Sequence, residues 1–496
     1  MTTLIQNVPP SDWVTVFVAC CFLLLILISI ELINKWFQWN RIYLRKFVHI
    51  FVGLLICATS LLIESKIPIL LISGIFILFD WWAVKNRYLK SIHLNGQSYG
   101  TVYYPISIFL LALLLWDAHK AIFLVSILIM IVPDALAGLA GMRFANNHYI
   151  ILTEKKSIPG ALVMFFSSMI IFFFAYNSYF NKDIWFSMSA AFLTGIAITA
   201  AELLSHKGSD NLSVPLLTAM IMYAFLQDKF MYAQLSLGIL MAMVVSILSY
   251  RVKFLDLSGA FGAFLLGLVI FGFGGWLFTV PILMFYITSS ILSVIGRKRK
   301  QKFQASFEKT GVRDVYQVYA NGGIPGILVL VNYFFPDPVV YYMYLAALAS
   351  ATADTWATEI GVFSRTPPRM ITSMGRVEPG RSGAVSLTGL IAALTGSFII
   401  AYPGLLLYPQ AFDKVFVIIV IILSGFSGNL LDSLIGASIQ AQFICQSCGK
   451  QTERKIHCGA QTEHHSGSLF MNNDLVNMLS IAFGSMIFYI CYQILN

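Results

Sequence analysis

Apolar stretches alternate with short polar links along the whole chain. Sixteen can be marked out, near 14–34, 47–63, 67–84, 101–116, 120–141, 158–177, 184–203, 213–226, 231–249, 257–273, 277–295, 317–335, 338–360, 384–404, 414–436 and 475–495. Several approach the ~20 residues that a helix needs to cross a bilayer. The pattern predicts an all-α fold, a polytopic transmembrane helical bundle. Stretch 213–226 is short, and several others contain Gly, Pro or a charge.

Basic residues sort the polar links by side. Lys35, Arg41, Arg45 and Lys46 follow the first stretch, Lys85, Arg87 and Lys90 the third, Arg143, Lys155 and Lys156 the fifth, and Lys207 the seventh. Arg251 and Lys253 follow the ninth, the run Arg297 to Lys302 the eleventh, Arg365, Arg369, Arg376 and Arg381 the thirteenth, and Lys450, Arg454 and Lys455 the fifteenth. The intervening links hold few, among them Lys66, Lys120, Lys182 and Lys229. The positive-inside rule then places both termini outside and the motif-bearing links in the cytoplasm. Landmarks recur in the same order in two halves, which predicts membrane domains at 1–250 and 251–496, of about eight spans each.

Composition agrees with a membrane protein: 58% of residues are hydrophobic and 11% charged, where soluble domains carry about 25% charged. The net charge of +9 therefore reads as topology, and no basic run interleaved with aromatics points to nucleic acid. No basic segment precedes the first apolar stretch, so a cleaved signal peptide is not expected. Four of the seven cysteines sit in apolar runs as small hydrophobes.

Candidate chemistry collects on the basic side. Asp134 closes an apolar stretch in Val132-Pro133-Asp134-Ala135-Leu136-Ala137-Gly138-Leu139-Ala140-Gly141, and Glu154-Lys155-Lys156-Ser157-Ile158-Pro159-Gly160 follows. A carboxylate within a span costs roughly 2.5–3.5 kcal/mol on insertion scales, so it needs a partner or a task. A Mg2+ ion shared between carboxylates and nucleotide phosphates supplies both. On this reading Asp134 and Glu202 hold the cation, Lys155 and Lys156 meet phosphate oxygens, and Gly138, Gly141, Ser157 and Gly160 shape the cradle. Arg45 and Lys46, with His49 one turn further in, offer a second contact to an anion; plain membrane anchoring is the competing explanation. Asp210-Asn211 either serves the site or caps the next helix.

The second half repeats the plan. Ala353-Asp354-Thr355-Trp356-Ala357-Thr358-Glu359-Ile360-Gly361 is followed by Gly380-Arg381-Ser382-Gly383; Asp134 to Gly160 is 26 residues, Asp354 to Gly383 is 29. Asp354 and Glu359 are the candidate Mg2+ ligands, with Asn321, Thr358, Gly380, Arg381, Ser382 and Gly383 toward phosphate. Asn473-Asp474 echoes Asp210-Asn211 at a helix start, and Asp432 places a further acid in a long apolar stretch. A cap explains Asn473 or Asp474 but not Asp432. Cys445-x2-Cys448, followed by His457-Cys458 and His464-His465, has zinc-like spacing, with Cys445, Cys448, Cys458 and His464 as the candidate ligands of a structural Zn2+. Unliganded thiols, a disulfide (the weaker choice in a reducing cytosol) and a loop arching over the site with its histidines on phosphate are the alternatives. No GxxxxGK[ST], HExxH or protein-kinase set occurs, so a nucleotide needs another architecture here.

Arg45-Lys46 with His49, Asp134-Ala135 with Gly138 and Gly141, Lys156-Ser157 with Gly160, and Glu202 followed by Asp210-Asn211 and Pro215 together resemble the dolichol kinase and phytol kinase family, which is related to the CDP-diacylglycerol synthases. The likeness covers roughly residues 40–220. Residues 250–496 are similar to the phytyl-phosphate kinase family through Asp256-Leu257-Ser258-Gly259, Gln317 to Gly322, Asp354 to Gly361, Gly383, Asn429 with Asp432-Ser433, the cysteine loop and Asn473-Asp474. The resemblance implies CTP-dependent phosphorylation of a membrane-held isoprenoid alcohol, then of its monophosphate, with Mg2+. It implies catalytic roles for Asp134, Lys156, Glu202 and Asp210, and for Asp354, Arg381, Asp432 and Asp474. The first half departs from the family pattern after Arg143, where Phe144-Ala145-Asn146-Asn147 lacks the usual second glycine-lysine pair. Two other classes compete: a cytidylyltransferase making a CDP-linked lipid, and a transporter with repeated halves. Clustering of the acids on one membrane face favours the enzyme.

Overall fold

A computed structural model describes residues 8–37, 41–86, 98–300, 312–408 and 414–495. Of the basic positions above, Arg87, Lys90 and Lys302, and the side chains of Lys35, Arg41 and Arg297 to Lys300, lie outside the described set. The chain forms two compact units, Met1–Ser236 and Leu237–Asn496.

The first unit contains α1 (Pro10–Phe37), α2 (Arg41–Leu62), α3 (Ile67–Lys85), α4 (Gly100–Phe144), a hairpin of β1 (Tyr149–Ile151) and β2 (Glu154–Lys156), α5 (Ile158–Phe174), α6 (Ile184–Leu204) and α7 (Asp210–Gln227). Helix α8 (Lys229–Arg251) carries the boundary between units. The second unit continues with α9 (Leu257–Gly267), α10 (Gly274–Lys300), α11 (Val315–Phe334), α12 (Pro338–Gly361), β3 (Arg369–Met370), β4 (Ala384–Val385), α13 (Leu387–Leu406) and α14 (Lys414–Ser438). Five short strands follow, β5 (Gln442–Ile444), β6 (Gln451–Thr452), β7 (Ile456–His457), β8 (Ala460–Gln461) and β9 (Glu463–Ser466), before α15 (Asn473–Leu495).

Two expected spans merge in α4, but the helix is broken at His119, whose φ and ψ are −139° and 40°. Its halves fold back on one another: Ser107 Oγ reaches Met130 Sδ at 3.5 Å, and the Trp116 and Phe123 rings pack edge to face. Both ends of α4 therefore reach the same end of the unit. A similar break falls at Gly275, where φ is 60°, a value that glycine adopts without steric cost.

Eleven helical segments among the described residues are long and apolar enough to cross a membrane. Many outward positions on them are large and apolar, such as Leu62 and Leu78, as a lipid-facing surface requires. The protein is a polytopic helical membrane protein. The stretches at 213–226, 317–335 and 338–360 fall on α7, α11 and α12, which are not among the eleven. Helix α12 shows the physical reason: Leu345 through Ala353 are all buried. A helix shielded from lipid by its neighbours can hold Ser350, Thr352 and Asp354 at little cost. The short antiparallel strands in the polar links were not anticipated, since two to four residues are too few to show an alternating pattern.

Candidate functional site

The first unit gathers its expected residues at one end. Arg45 and Lys46 come from the start of α2, Asp134, Gly138 and Gly141 from the second half of α4, Lys155 and Lys156 from β2, Ser157 and Gly160 from the α5 N-terminus, Glu202 from the end of α6, and Asp210 from the start of α7. All of them line one cavity of about 640 Å³. Lys46 Nζ lies 2.7 Å from Asp134 Oδ2, and His49 Nε2 lies 3.7 Å from the same oxygen. Lys156 Nζ donates to Glu202 Oε1 at 2.7 Å, to the Glu202 carbonyl at 2.6 Å and to Ser205 Oγ at 3.0 Å. Asp210 sits within electrostatic range of Asp134, Lys46, Lys156 and Glu202. Asp134 and Glu202 thus each have a lysine to offset their desolvation, whereas burial and the neighbouring Asp134 charge push the Asp210 carboxyl up, to about 6.

Several residues have other work. His49 lies behind Asp134, bonded to the Met130 carbonyl at 3.1 Å, and does not line the cavity. Asn211 donates to the Gly100 carbonyl at 3.0 Å, pinning the start of α4. Ser157 caps α5 by accepting from Gly160 N at 3.2 Å. The glycines serve close packing: a methyl at Gly160 would stand 3.1 Å from the Ala137 carbonyl, and one at Gly138 2.8 Å from Lys46 Cε.

The second unit has an equivalent cavity of about 770 Å³, lined by Asn321, Asp354, Thr358, Glu359, Gly380, Arg381, Ser382, Gly383, Asp432 and Asn473. Arg313, Asn429, Glu453 and Asn477 also face it. Ser293 Oγ donates to Glu359 Oε1 at 2.8 Å, and Ser480 Oγ to Asp432 Oδ2 at 3.2 Å. Asp354 and Glu453 both act electrostatically on Asp432. Asp474 falls in the first turn of α15 but is not part of the lining. The cap there is Asn472, whose Oδ1 accepts from Leu475 N. Asp256 is a cap as well, accepting from Gly259 N at 2.7 Å.

The two cavities share a scaffold that pairs the motifs differently from the expectation. Asp354, Ala357, Gly361 and Arg369 each stand 220 residues after Asp134, Ala137, Gly141 and Tyr149. Ser386 caps α13 by accepting from Gly389 N at 3.1 Å, as Ser157 caps α5. A methyl on Gly389 would stand 3.2 Å from the Ala357 carbonyl, matching Gly160 over Ala137. In both units a β-hairpin, β1–β2 or β3–β4, leads into the capping serine. The counterpart of Ser157 and Gly160 is therefore Ser386 and Gly389. Gly380-Arg381-Ser382-Gly383 belongs instead to the longer crossing between β3 and β4. A Ser-x-x-Gly sequence after each hairpin was the overlooked signal. Glu453 and Ser205 were also missed, because single polar residues in links carry no pattern, and Asn477, a lone polar residue in the first turns of α15, carries none either.

Cys445, Cys448, His457 and Cys458 come together, with ligand atoms within 4.8 Å of one another. Hydrogen bonding with the His457 side chain holds the Cys445 thiol below its usual value, to about 6. His464, the fourth ligand expected, bonds the Gly467 carbonyl at 3.1 Å and is not part of the group. His457 takes that place because the β7–β8 turn sets it beside Cys458.

The integral membrane protein family DUF92 matches residues 240–485, nearly the whole second unit. An uncharacterised membrane protein of Methanocaldococcus jannaschii is 31% identical over 42% of this chain and 85% of its own length. The chain belongs to the DUF92 family. Protein PGR of Arabidopsis thaliana is 28% identical over 50% of this chain and 92% of its own length. A phytol kinase of Synechocystis is 31% identical over 43% of this chain and 91% of its own length. No solved structure matches.

Proposed function

We propose that this DUF92 member is a membrane isoprenoid kinase, phosphorylating a prenol with CTP in the first unit and the resulting monophosphate in the second. The observation that carries the reading is the first cavity, where Asp134, Glu202 and Asp210 meet Lys46 and Lys156 at the end of apolar helices. The likeness to a phytol kinase supports the same substrate class. By the positive-inside rule both cavities open to the cytoplasm, where a prenyl hydroxyl emerges from the bilayer.

The donor set fits Mg2+, a hard cation held by carboxylates and phosphate oxygens, which supplies charge neutralisation on the nucleotide. Asp134 and Glu202 in the first cavity, with Asp354 and Glu359 in the second, are the residues that would hold it. Phosphoryl transfer needs little covalent help beyond positioning and electrostatics. In the first cavity the prenol oxygen attacks the γ-phosphorus of CTP, the bond to the β–γ bridging oxygen breaks, and CDP leaves with that electron pair. Asp210 takes the hydroxyl proton. Lys156, fixed by Glu202 and Ser205, and Lys46 stabilise charge on the phosphoryl oxygens. In the second cavity the nucleophile is a phosphate oxygen already without its proton. Asn473 there, where the first cavity has Asp210, suits an acceptor that needs orienting but no base. Arg381 would meet the phosphoryl group, and Asp432, near Asp354, would add a carboxylate on the cation's side.

The test is turnover by the purified chain in detergent, with Mg2+, each of CTP, ATP, GTP and UTP, and prenols from geraniol to a long polyprenol, read by mass. Prenyl mono- and diphosphate with CDP released is the expected result. Pyrophosphate with a CDP-lipid would make the protein a cytidylyltransferase, and uptake into proteoliposomes without turnover would make it a carrier.

A further inference from the structure

The link between α14 and α15 runs from 439 to 472, whereas its counterpart between α6 and α7 is only 205–209. The longer link is built of short strand pairs, β6-β5-β9 and β7–β8. It has few large apolar residues, and a segment of this size cannot fold on a hydrophobic core of its own. Something else must hold it.

We propose that Cys445, Cys448, His457 and Cys458 bind one structural zinc ion, which fixes this link over the second cavity. The four ligand atoms lie within 4.8 Å of one another, and two of the edges have the lengths of a closed tetrahedral site. With Zn–S near 2.3 Å and Zn–N near 2.1 Å, a tetrahedron has S···N edges of about 3.6 Å. Cys448 Sγ lies 3.6 Å and Cys458 Sγ 3.3 Å from His457 Nδ1. The backbone presents the ligands in two tight turns. Gly449, with φ at +69°, closes the first by donating to the Cys445 carbonyl at 2.8 Å. Cys458 and Gly459 form the two-residue turn of the β7–β8 hairpin, with φ at +51° and +76°.

Positive φ at both central residues marks a turn that favours Asn-Gly. A cysteine in its first position carries steric strain that a ligating sulfur explains. Three thiolates with an imidazole select zinc over Mg2+ or Ca2+ and leave no open position for catalysis. The consequence reaches the cavity. Glu453 and Gln442 of this link both hydrogen-bond Ser382, the latter at 3.1 Å, beside Arg381 and Gly383. The knot therefore sets the floor against which the 380–383 loop rests.

The experiment measures zinc by mass spectrometry in the full chain, purified in detergent under reducing conditions. About one zinc per chain is expected. Cys448→Ser, His457→Asn and Cys458→Ser should each lose it, while His464→Asn keeps it. Limited proteolysis should then cut within 440–470 in the depleted variants and spare the wild type. Because a variant can fail to fold, zinc release from the wild type by a thiol-blocking reagent is read in parallel with a metal dye, at unchanged helical content. Wild type without zinc after purification in its presence, zinc retained by Cys458→Ser, or an intact mass showing a disulfide among these cysteines would overturn the proposal. Zinc content is read independently of any phosphoryl transfer.

Discussion

The two cavities set the same frame to different charge. In the first, Lys156 ends β2 immediately before the capping Ser157 and pairs with Glu202. In the second, Val385 stands immediately before the capping Ser386, so no lysine reaches across from that strand. Asp432 answers instead to Asp354 and Glu453, carboxylates like itself, and the cations lining the cavity, Lys253, Arg313 and Arg381, come from links. The frame consists of an aspartate on a buried helix, a hairpin, and a serine-capped helix whose glycine rides on that helix's carbonyl. The chemistry is varied through link length. The β3–β4 crossing and the α14–α15 link are each longer than their counterparts, and both bring residues to the second cavity.

The largest effect is expected from removing the frame's acid. Asp134→Ala should lower prenol phosphorylation by about 10²–10³-fold, the range for losing one preorganised electrostatic group. Prenyl-phosphate phosphorylation should stay within about twofold, as sites that share no residues behave independently. Asp354→Ala should do the reverse. Separate assays with prenol and with prenyl monophosphate decide it; equal loss of both steps from either variant would end the division of labour between units.

How much of this was legible follows from what each signal depends on. Apolar runs announce helices one by one, so each of the sixteen stretches falls on a helix or half of a broken one. The aspartates at 134 and 354 stood out because acids are rare in such runs. The pairing of Gly160 with Gly389 did not, because a glycine's role lies in what a methyl would strike. That is the backbone of another helix, and it appears only when the helices are packed. Links were the least legible. His457 rather than His464 joins the cysteines through a two-residue turn, and Glu453 reaches Ser382 across about seventy positions of chain. Neither contact leaves a periodic trace.

The next effect tests the charge difference. Lys156 and Glu202 are 14% and 13% exposed in their side chains, so Lys156→Met strands a nearly buried carboxylate. A loss of about 3 kcal/mol is expected, the low end for breaking a buried pair, read as a lower melting temperature in detergent. Lys156→Met with Glu202→Gln should recover most of the stability and none of the prenol phosphorylation. Val385→Met, at the matching position, should change stability little, since no ion pair is broken there.

A smaller effect tests the shared frame. Gly160→Ala and Gly389→Ala each set a methyl 3.1–3.2 Å from a helix carbonyl. Overpacking costs about 1–3 kcal/mol, and the helix propensity of alanine returns up to about 1 kcal/mol. A net loss of about 1 kcal/mol is expected at both positions. Stabilisation at one and destabilisation at the other would mean that the two glycines do not occupy equivalent places.

The smallest effect separates a cap from a phosphate contact. Ser157 and Ser386 both give their hydroxyl oxygen to the N–H three residues on, at 3.2 and 3.1 Å. Alanine at either should cost about 1 kcal/mol, and threonine, which retains the oxygen, much less. A phosphate contact, the role expected of Ser157 from the motif around it, makes a different demand. Losing a bond to a charged group costs about 1.5–3 kcal/mol, which would raise the KM for CTP at least tenfold in Ser157→Ala. With the oxygen already accepting from Gly160 and the cavity's lysines nearer to hand, the expected result is a KM within about twofold of wild type and a melting temperature lowered as far as in Ser386→Ala. A large rise in KM at Ser157 alone would show that the first cavity uses its cap as a phosphate ligand and that the second does not.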